Sequence, residues 1–285
     1  MQLEAGWFTE VCEEGGSAFS LKIRRKLYEE QSEYQRIEIF ETEKFGKLMT
    51  IDGFVMVTDF DSFLYHEMMS HPVLFTHPAP ERVVIIGGGD CGTLREVLKH
   101  PEVKSVLQVE IDERVTRIAE EYFPESCASN TDPRAEFLFA DGIQWMQEAE
   151  AETADVIIVD STDPIGPAKG LFTEAFYREC HRVLKASGIV VQQSESPLFH
   201  MEIIKLLHRA MRSAGFDRTL SLHFPHVSYP AGWWSATMGG KHLDLQRCRE
   251  GDIAARPFGT RYYNLAIHRA SVAMPEFFRN QLETG

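Results

Sequence analysis

The chain has 285 residues, of which 44% are apolar and 25% are charged, and its formal net charge is −14. This composition predicts a soluble protein with one large domain, or one large and one small domain. The negative charge disfavours contact with nucleic acid phosphates and favours cationic substrates, although acidity also serves solubility alone. No run approaches the roughly 18 to 20 apolar residues of a membrane span and the amino terminus does not resemble a signal peptide, so we expect a cytoplasmic protein with no membrane or nucleic acid partner.

The cysteines predict neither a disulfide framework nor a metal site. Five residues, Cys12, Cys91, Cys127, Cys180 and Cys248, are scattered and odd in number. They do not have the short, regular spacings that both kinds of site require. We therefore predict reduced thiols, no metal and no catalytic thiol, with Cys91 a small residue tolerated in a glycine-rich loop.

The first 60 residues predict a small antiparallel β domain. Residues with β-branched and aromatic side chains form four short runs, separated by turn signals such as Asp52-Gly53. The predicted strands cover 19–27, 34–40, 45–50 and 54–58. The pattern then becomes helical over 61–75. We predict two domains, covering 1–60 and 61–285.

Strands and helices alternate in the rest of the chain. The predicted strands are 83–86, 105–110, 135–140, 155–159 and 188–193, and the predicted helices are 93–99, 113–122, 143–149 and 173–184. Nearly continuous apolar strands separated by helices are typical of a parallel sheet covered on both faces, so the predicted fold class is α/β. Residues 163–170, with two prolines and two glycines, predict a loop and a candidate lid.

A glycine-rich turn and two acidic residues lie at predicted strand ends. Gly87-Gly88-Gly89 follows the first parallel strand, where glycines let a ligand approach the backbone beside a helix amino terminus, or simply allow tight packing. Glu110 ends the next strand, where a carboxylate can accept hydrogen bonds from both hydroxyls of a ribose. Asp141 ends the third, where it suits an adenine amino group or caps the following helix. These residues favour an adenosine-containing ligand.

Asp90 follows the glycine turn and narrows the choice of adenosine compound. Common dinucleotides and S-adenosylmethionine bring an anionic group to this position, and a carboxylate at about 4 Å would repel it by about 4 kcal/mol at an effective dielectric constant of about 20. Decarboxylated S-adenosylmethionine has an aminopropyl ammonium and no carboxylate. Asp90 therefore favours the decarboxylated compound.

Asp160 and Asp163 follow the apolar strand 155–159. Because the carboxyl ends of parallel strands share one edge of a sheet, we expect these carboxylates to share a cleft with Asp90 and to bind a cation. One interpretation makes Asp160 a base and Asp163 an anchor for the reacting centre. The other makes both of them turn residues, since Asp followed by Ser, Thr and Pro readily forms Asx turns.

The chain resembles the spermidine synthase family of aminopropyltransferases from about Trp7 to Pro275. The motifs that carry the resemblance are Gln35, Leu64-Tyr65-His66-Glu67-Met68, Gly87-Gly88-Gly89-Asp90, Val109-Glu110-Ile111-Asp112, Asp141-Gly142, Asp160-Ser161-Thr162-Asp163-Pro164-Ile165-Gly166-Pro167, Ser228-Tyr229-Pro230 and Arg261-Tyr262-Tyr263-Asn264. The resemblance implies a methyltransferase-like, Rossmann-type and mostly parallel sheet behind a small N-terminal antiparallel β domain. It also implies a homodimer or homotetramer.

The resemblance further implies transfer of the aminopropyl group of decarboxylated S-adenosylmethionine to putrescine, which gives spermidine and methylthioadenosine. The donor would then be a co-substrate, and no cofactor would be needed. The implied donor-binding residues are Gln35, Glu110, Asp141, Gly142 and Pro167. The implied polyamine-binding residues are His66, Asp90, Asp160, Ser161, Thr162 and Asp163, with Asp160 as the proton acceptor. Tyr65 and Tyr229 are further candidates for polyamine binding, which would either flank the aliphatic chain or form a hydrogen bond with an amine. His66 has the alternative role of a packed core histidine.

Three departures from the family pattern leave the acceptor amine open. Met56 stands where the family often has glutamine, and Ser62 stands where it often has glutamate. Trp233 and Trp234 replace smaller or polar residues. The preferred acceptor could therefore be putrescine, cadaverine or spermidine.

The proposed reaction needs a neutral amine as nucleophile. Moving a proton from an amine with a pKa of about 10.4 to an aspartate with a pKa of about 3.9 costs on the order of 9 kcal/mol. A neighbouring sulfonium and a partly desolvated Asp160 would both reduce this difference. Two rival functions remain: a methyltransferase that uses intact S-adenosylmethionine on the same fold, and a polyamine or nucleoside sensor without turnover.

Overall fold

The first sheet of the protein is antiparallel and five-stranded. The computed structural model describes residues 6–13, 15–164 and 166–283. The strands are β1 (Trp7–Cys12), β2 (Ser17–Gln31), β3 (Arg36–Thr42), β4 (Lys47–Ile51) and β5 (Phe54–Thr58). They pair in sequence order, which confirms the predicted antiparallel unit. β1 was not predicted as a separate strand, and β2 is longer than predicted.

The second sheet is seven-stranded and mostly parallel. It contains β6 (Arg82–Gly87), β7 (Ser105–Glu110), β8 (Ala135–Phe139), β9 (Ala154–Asp160), β10 (Leu184–Gln193), β11 (Arg218–Pro225) and β12 (Trp233–Gly240). The strand order is β11-β12-β10-β9-β6-β7-β8. β6 to β10 pair in parallel, whereas β11 and β12 extend one edge in antiparallel fashion. The predicted α/β class is therefore confirmed.

Helices connect the strands of the second sheet. They are α1 (Ser62–Thr76), α2 (Gly92–Leu98), α3 (Glu113–Tyr122), α4 (Gly142–Glu148), α5 (Glu174–Val183), α6 (Met201–Ser213), α7 (Glu250–Ala255), α8 (Leu265–Ser271) and α9 (Glu276–Glu283). Short 3₁₀ helices cover Gly166–Phe172 and Pro230–Gly232. Within the described part of the chain, every helix is too short or too polar to cross a bilayer.

The prediction of a loop over residues 163–170 is wrong for residues 166–170, because Gly166–Phe172 is a 3₁₀ helix. Ala168, Leu171 and Phe172 are buried in the core beside α5. Their spacing of three and four residues puts them on one side of a helix. The prolines and glycines of this segment hid that pattern in the sequence.

The central parallel strands β6 and β9 are apolar over most of their length because both faces of the sheet are buried there. In β6, Val83 and Ile85 belong to the core cluster on the α1 and α2 side. Val84 and Ile86 belong to the cluster on the α5 side. Successive side chains of a strand point to opposite faces, so a strand buried on both faces reads as one continuous apolar run.

The order of the strands places a crevice at the end of β6. The chain continues from β6 to β7 on one side of it and returns to β9 on the other. Open α/β sheets bind ligands at such a reversal, beyond the carboxyl ends of the strands. Gly87 at the end of β6 lies in register with Asp160 at the end of β9. The glycine turn and the acidic segment are therefore neighbours, as the sequence predicts.

The N-terminal sheet packs against α3 of the second unit. Ile39 and Met49 share a core cluster with Ile118 and Phe123. This contact brings the turn between β2 and β3 to the start of α3. The boundary between domains at residue 60 stays a prediction, since the two units share this core.

The helix α1 is buried on nearly all sides, and its polar side chains bind neighbouring segments. Glu67 is 1% exposed. Its carboxylate accepts backbone hydrogen bonds from Arg261 at 2.7 Å, Tyr262 at 2.9 Å and Tyr263 at 2.8 Å. The motif of α1 that contains Glu67 and the motif Arg261-Tyr262-Tyr263-Asn264 are far apart in sequence. The carboxylate of Glu67 joins them and holds the segment before α8 in place.

We expect Glu67→Gln to destabilise the fold by about 2 kcal/mol, because hydrogen bonds to a charged group contribute roughly 1.5–3 kcal/mol. The free energy of unfolding in urea measures the change. Glu113→Gln is the control, since Glu113 is exposed and pairs only with the exposed Arg117 among the described residues. Equal loss of stability in both variants would contradict the role given to Glu67.

Candidate active site

A cavity of about 160 Å³ lies at the carboxyl ends of β6, β7 and β9. Its polar lining consists mainly of Tyr34, Gln35, Tyr65, Asp90, Glu110, Asp141, Asp160, Ser161, Thr162 and Tyr229. Apolar side chains from both sheets form much of the remaining wall. An apolar cavity with a few convergent polar groups is the usual form of a small-molecule site.

The glycine turn lies in direct contact with the end of β9. The Gly88 N–H donates to the main-chain oxygen of Asp160 at 2.7 Å. Gly87 has a φ of +84°, and a Cβ atom there would lie 2.2 Å from the same oxygen. A side chain at residue 87 is therefore excluded both by backbone conformation and by space.

The Asp160 carboxylate lies in the cavity wall between two donors. The Tyr65 hydroxyl donates to Oδ1 at 2.7 Å, and the Thr93 hydroxyl donates to Oδ2 at 2.6 Å. Burial, followed by the charge of Asp90, raises the pKa of Asp160 above its ordinary value despite these two hydrogen bonds. Burial and the charge of Asp160 also raise the pKa of Tyr65, so the phenol stays protonated and donates. Asp160 is a stronger base than an exposed aspartate.

Asp90 and His66 form a buried ion pair. His66 Nε2 lies 3.0 Å from Asp90 Oδ2, and the Gly92 N–H donates to Asp90 Oδ1 at 2.8 Å. Burial alone would raise the pKa of Asp90 and lower that of His66, but their mutual charge and hydrogen bond lower the pKa of Asp90 and raise that of His66. A Cβ at Gly92 would lie 2.1 Å from His66 Cε1, so glycine makes room for the ring.

His66 reaches the cavity only through Asp90. The described residues that line the cavity include Asp90 and Tyr65 but not His66. The ring is 1% exposed and contacts Tyr65 edge-on, with ring centroids 5.8 Å apart. This position fits the packed-histidine alternative, and direct contact of His66 with a polyamine stays a prediction.

Glu110 and Gln35 lie together at the opposite side of the cavity. Glu110 Oε1 accepts the Asp112 N–H at 2.9 Å, and burial outweighs this hydrogen bond and raises the pKa of Glu110 to about 7. Gln35 Nε2 and the Ser32 hydroxyl donate to Asp112 Oδ2 at 3.0 Å and 2.6 Å. Asp112, which also caps α3, thus attaches the N-terminal sheet to this part of the site.

Asp141 is both a helix cap and a cavity residue. Its Oδ1 accepts the Ile143 N–H at 2.8 Å at the start of α4, which confirms the capping alternative. It also lines the cavity, and a carboxylate has further lone pairs for a ligand. Gly142 lies beside it, where a Cβ would be 2.6 Å from Ile86. Pro167 lies in a 3₁₀ helix, but its side chain, like all of Ile165, is outside the described part of the chain.

A second, smaller cavity of about 30 Å³ adjoins the first. The residues that line both are Met56, Tyr65, Ser161, Thr162 and Tyr229. Asp163 lines only the smaller cavity, whereas Asp90 and Asp160 line the larger one. We expected a single cleft with three carboxylates, but the structure has two adjoining cavities. The carboxylates are divided between them because the chain from Asp160 to Asp163 crosses the boundary.

Glu10 is a cavity residue that the sequence did not indicate. It comes from β1, is 7% exposed and lines the smaller cavity together with Asp163. Burial raises its pKa to about 7 even though its Oε2 accepts the Val55 N–H at 2.6 Å. The residues from Trp7 to Cys12 do not alternate between polar and apolar, so the sequence gives no periodic signal that Glu10 lies on the buried face of a strand.

Tyr229 and two of the residues that depart from the family pattern, Met56 and Trp234, line the smaller cavity. The Tyr229 hydroxyl donates to the Met56 carbonyl oxygen at 2.7 Å. Buried Asp61, next to Ser62, accepts the Ser228 N–H at 2.8 Å and so holds the segment that carries Tyr229. Ser62 and Trp233 are not among the described residues that line this cavity.

Comparison with known families identifies the chain. Residues 62–248 match the spermine/spermidine synthase domain, and residues 6–59 match the spermidine synthase tetramerisation domain. The chain belongs to the spermine/spermidine synthase family. A polyamine aminopropyltransferase of Methylococcus capsulatus is 65% identical over 97% of this chain and 96% of its own, and one of Thioalkalivibrio sulfidiphilus is 61% identical over 99% of both.

Solved structures of the spermine/spermidine synthase family have the same fold. A crystal structure of spermidine synthase in complex with the transition state analogue AdoDATO has a TM-score of 0.95 and is 36% identical, covering 100% of this chain and 97% of its own. Spermidine synthase from Thermotoga maritima has a TM-score of 0.92 at 36% identity, covering 98% and 94%. No group of three or more metal-binding side chains is arranged around a common point in the described residues.

We expect Glu110 to make the ligand-free protein less stable as pH rises. A carboxylate whose pKa rises on folding from 4.5 to about 7 stabilises the fold below pH 4.5, and this contribution is lost as pH rises to about 7. Relative to the parent, Glu110→Gln should therefore gain about 3 kcal/mol between pH 4.5 and pH 8. Unfolding in urea at both pH values measures this difference.

Glu136→Gln is the matched control for this experiment, because it makes the same substitution at an exposed position of the neighbouring strand β8. If the free energies of unfolding of the parent and of Glu110→Gln differ by the same amount at both pH values, Glu110 is not a buried residue with a raised pKa.

Proposed function

We propose that this protein transfers the aminopropyl group of decarboxylated S-adenosylmethionine to putrescine. The observation that carries the proposal is the position of Asp160, a half-buried carboxylate with a raised pKa in the larger cavity, beside the segment that leads into the smaller one. One cavity suits a nucleoside and the other suits a cationic chain. The curated relatives named polyamine aminopropyltransferase support the same reaction.

The donor would lie in the larger cavity. Glu110 would accept hydrogen bonds from the ribose hydroxyls, Gln35 would contact the same part of the nucleoside, and Asp141 with Gly142 would lie at the adenine. Pro167 is the remaining proposed donor contact. The aminopropyl ammonium would pair with Asp90. The spermidine synthase structure with AdoDATO supports a ligand of this kind.

The acceptor would extend from Asp160 into the smaller cavity. Asp163 and Glu10 supply negative charge there, and the rings of Tyr65 and Tyr229, whose centroids are 5.9 Å apart, flank the path between. Ser161 and Thr162 lie at the junction of the two cavities. An extended diamine would thus have one amine at Asp160 and the other among carboxylates.

Asp160 would take the proton from the attacking amine. The sulfonium is already a good leaving group, so the barrier lies in producing a neutral amine beside it. Burial raises the pKa of Asp160, while the sulfonium lowers the proton affinity of the amine, and both effects reduce the difference between them. Tyr65 and Thr93 hold the carboxylate in place, which supplies orientation for the attack.

The donor in this proposal is a co-substrate that is consumed, and the reaction uses no cofactor or metal. The match of residues 6–59 to a tetramerisation domain indicates an oligomer. We propose a homodimer or homotetramer in the cytoplasm, and light scattering after size-exclusion chromatography distinguishes the two assemblies.

We expect Asp160→Asn to retain donor binding and to lose turnover by about a hundredfold to ten-thousandfold, because the amide cannot accept the proton. Release of methylthioadenosine measures turnover, and calorimetry measures donor binding. Asp163→Asn is the matched comparison: it should mainly raise the KM for the amine. Unchanged turnover of Asp160→Asn would reject Asp160 as the base.

We also expect decarboxylated S-adenosylmethionine to bind about a hundredfold more tightly than S-adenosylmethionine, since Asp90 and Asp160 both repel a carboxylate. His66 partly neutralises Asp90, so the preference depends on the two aspartates together. In Asp90→Asn the difference in affinity between the two donors should narrow, because one of the two carboxylates that repel the carboxylate of S-adenosylmethionine is then absent. Tighter binding of the carboxylated compound by the parent would instead favour a methyltransferase, and binding of both substrates without product would favour a sensor.

A further inference from the structure

A third cavity, of about 290 Å³, lies beyond the proposed acceptor site. It is lined by Glu10, Cys12, Ser17, Ala18, Phe19, Phe199, Val227, Tyr229, Ala231 and Gly232. Glu10 and Tyr229 also line the acceptor cavity, so the two spaces share a wall. Neither the proposed reaction nor the sequence motifs assign a role to this third cavity.

The thiol of Cys12 lies against an imidazole that a carboxylate orients. Cys12 Sγ is 3.9 Å from His200 Nε2, and His200 Nδ1 is 3.1 Å from Glu195 Oε2. Nδ1 has two neighbours, the Glu195 carboxylate at 3.1 Å and the Ser196 N–H, which donates to it at 3.4 Å. Because an ionised carboxylate only accepts hydrogen bonds, we assign the ring proton to Nδ1 from the nearer contact, and this assignment leaves the Nε2 lone pair facing the thiol. The thiol of Cys12, the imidazole of His200 and the carboxylate of Glu195 are thus arranged as a nucleophile, its base and the group that orients the base.

Glu195 is held in an unusual conformation for this role. Its φ is +66°, which is rare for a residue with a side chain. The Ser235 hydroxyl donates to its carbonyl oxygen at 2.8 Å, and its N–H donates to Gln193 Oε1 at 3.1 Å. Backbone strain of this kind persists where the surroundings fix it and is concentrated at functional sites. Here it points the carboxylate towards His200.

The other thiols differ from Cys12 in these respects. Cys12 is 8% exposed and lines the third cavity, whereas Cys91 and Cys180 are fully buried. The thiol of Cys127 donates to the Asp90 carbonyl oxygen at 3.6 Å. Cys248 is partly exposed, and burial of the sulfur raises its pKa, which keeps it in the unreactive thiol form. Cys12 is the cysteine that lines the third cavity and lies beside an oriented imidazole.

We propose that Cys12, His200 and Glu195 form a reactive-thiol site that takes small cationic disulfides from the third cavity. His200 Nε2 accepts the thiol proton, and the thiolate attacks one sulfur of the disulfide. The S–S bond of the reagent breaks as the bond to Cys12 Sγ forms, and the leaving thiolate takes up the proton from His200. The Cys12 sulfur is oxidised and half of the reagent is reduced, so the exchange needs no other reactant.

Charge selects the class of disulfide. Glu10 is the one charged residue among the described residues that line the third cavity, and its pKa of about 7 leaves it largely ionised at pH 8. Oxidised glutathione is anionic, whereas cystamine carries two ammonium groups and is also about the size of a diamine. A negative cavity concentrates cations and excludes anions. We therefore expect cystamine to react faster than oxidised glutathione.

The experiment treats the full-length protein at pH 8 with cystamine or oxidised glutathione and follows each cysteine by mass spectrometry of peptides. With cystamine, Cys12 should form its adduct at least about tenfold faster than Cys248, as expected for an oriented base. At each cysteine, the rate of reaction with cystamine is divided by the rate of reaction with oxidised glutathione, and this ratio should be larger at Cys12 than at Cys248. Because both cysteines meet the same two reagents, a difference between the two ratios does not come from the intrinsic reactivity of the reagents.

His200→Gln should slow the reaction of Cys12 by about tenfold and leave Cys248 unchanged. His242→Gln is the matched control, since His242 is exposed. Modification of buried Cys180 would show that the variant is unfolded. In that case the test of the proposal is the comparison of Cys12 with Cys248 in the parent protein. Three results would overturn the proposal. The first is an equal rate of reaction with cystamine at Cys12 and Cys248, and the second is an equal preference for cystamine over oxidised glutathione at both cysteines. The third is a folded His200→Gln variant in which Cys12 reacts as fast as in the parent.

The adduct has a further consequence that rests on the proposed function. Cys12 lies two residues after Glu10 on the same face of β1, so a cysteamine group on Cys12 borders the acceptor cavity. The modified enzyme should show a raised KM for the amine with unchanged donor binding, and dithiothreitol should reverse this change. Cys12→Ser should keep basal activity and show no such effect. Because adduct formation is measured without turnover, failure of the proposed reaction and failure of the thiol site are distinguishable.

Discussion

Asp160 connects four parts of the fold at one point. Its main-chain oxygen accepts the Gly88 N–H, while its carboxylate accepts the hydroxyls of Tyr65 from α1 and Thr93 from α2. The close approach is possible because the ends of β6 and β9 are in register and residue 87 has no side chain. The position of the proposed base, the shape of the glycine turn and the junction of the two cavities all depend on this contact. A carboxylate held in this way is already oriented before any substrate binds.

The site gathers carboxylates in an apolar cavity, and each is accommodated differently. Asp90 is paired with His66, whose pKa is raised. Glu110 is buried with a pKa of about 7, so it is partly protonated near neutral pH. Asp160 accepts hydrogen bonds from two hydroxyls, and burial raises its pKa. Carboxylates gathered in a region of low dielectric constant favour the binding of a cation.

Much of this arrangement could be predicted from the sequence, because it depends on strand ends. Glu110, Asp141 and Asp160 each follow an apolar strand, and the register of parallel strands brings such residues to one edge. The pairing of Asp90 with His66 could not be predicted, since it depends on how α1 crosses α2 and on the missing side chain at Gly92. The helix at Gly166–Phe172 was hidden by prolines and glycines. Glu10 was missed because its strand belongs to the other sheet, and contacts between sheets leave no periodic signal within either one.

The N-terminal sheet lines both proposed substrate cavities, and residues 6–59 match a tetramerisation domain. Gln35 joins the proposed donor side through Asp112, and β1 brings Glu10 to the proposed acceptor side. Cys12 follows Glu10 on the same strand face and lies beside His200 at the start of α6, so β1 also connects the smaller cavity with the third cavity. Because Glu10 and Cys12 are two residues apart on one strand, a group bound to Cys12 would lie close to the carboxylate at the proposed acceptor site.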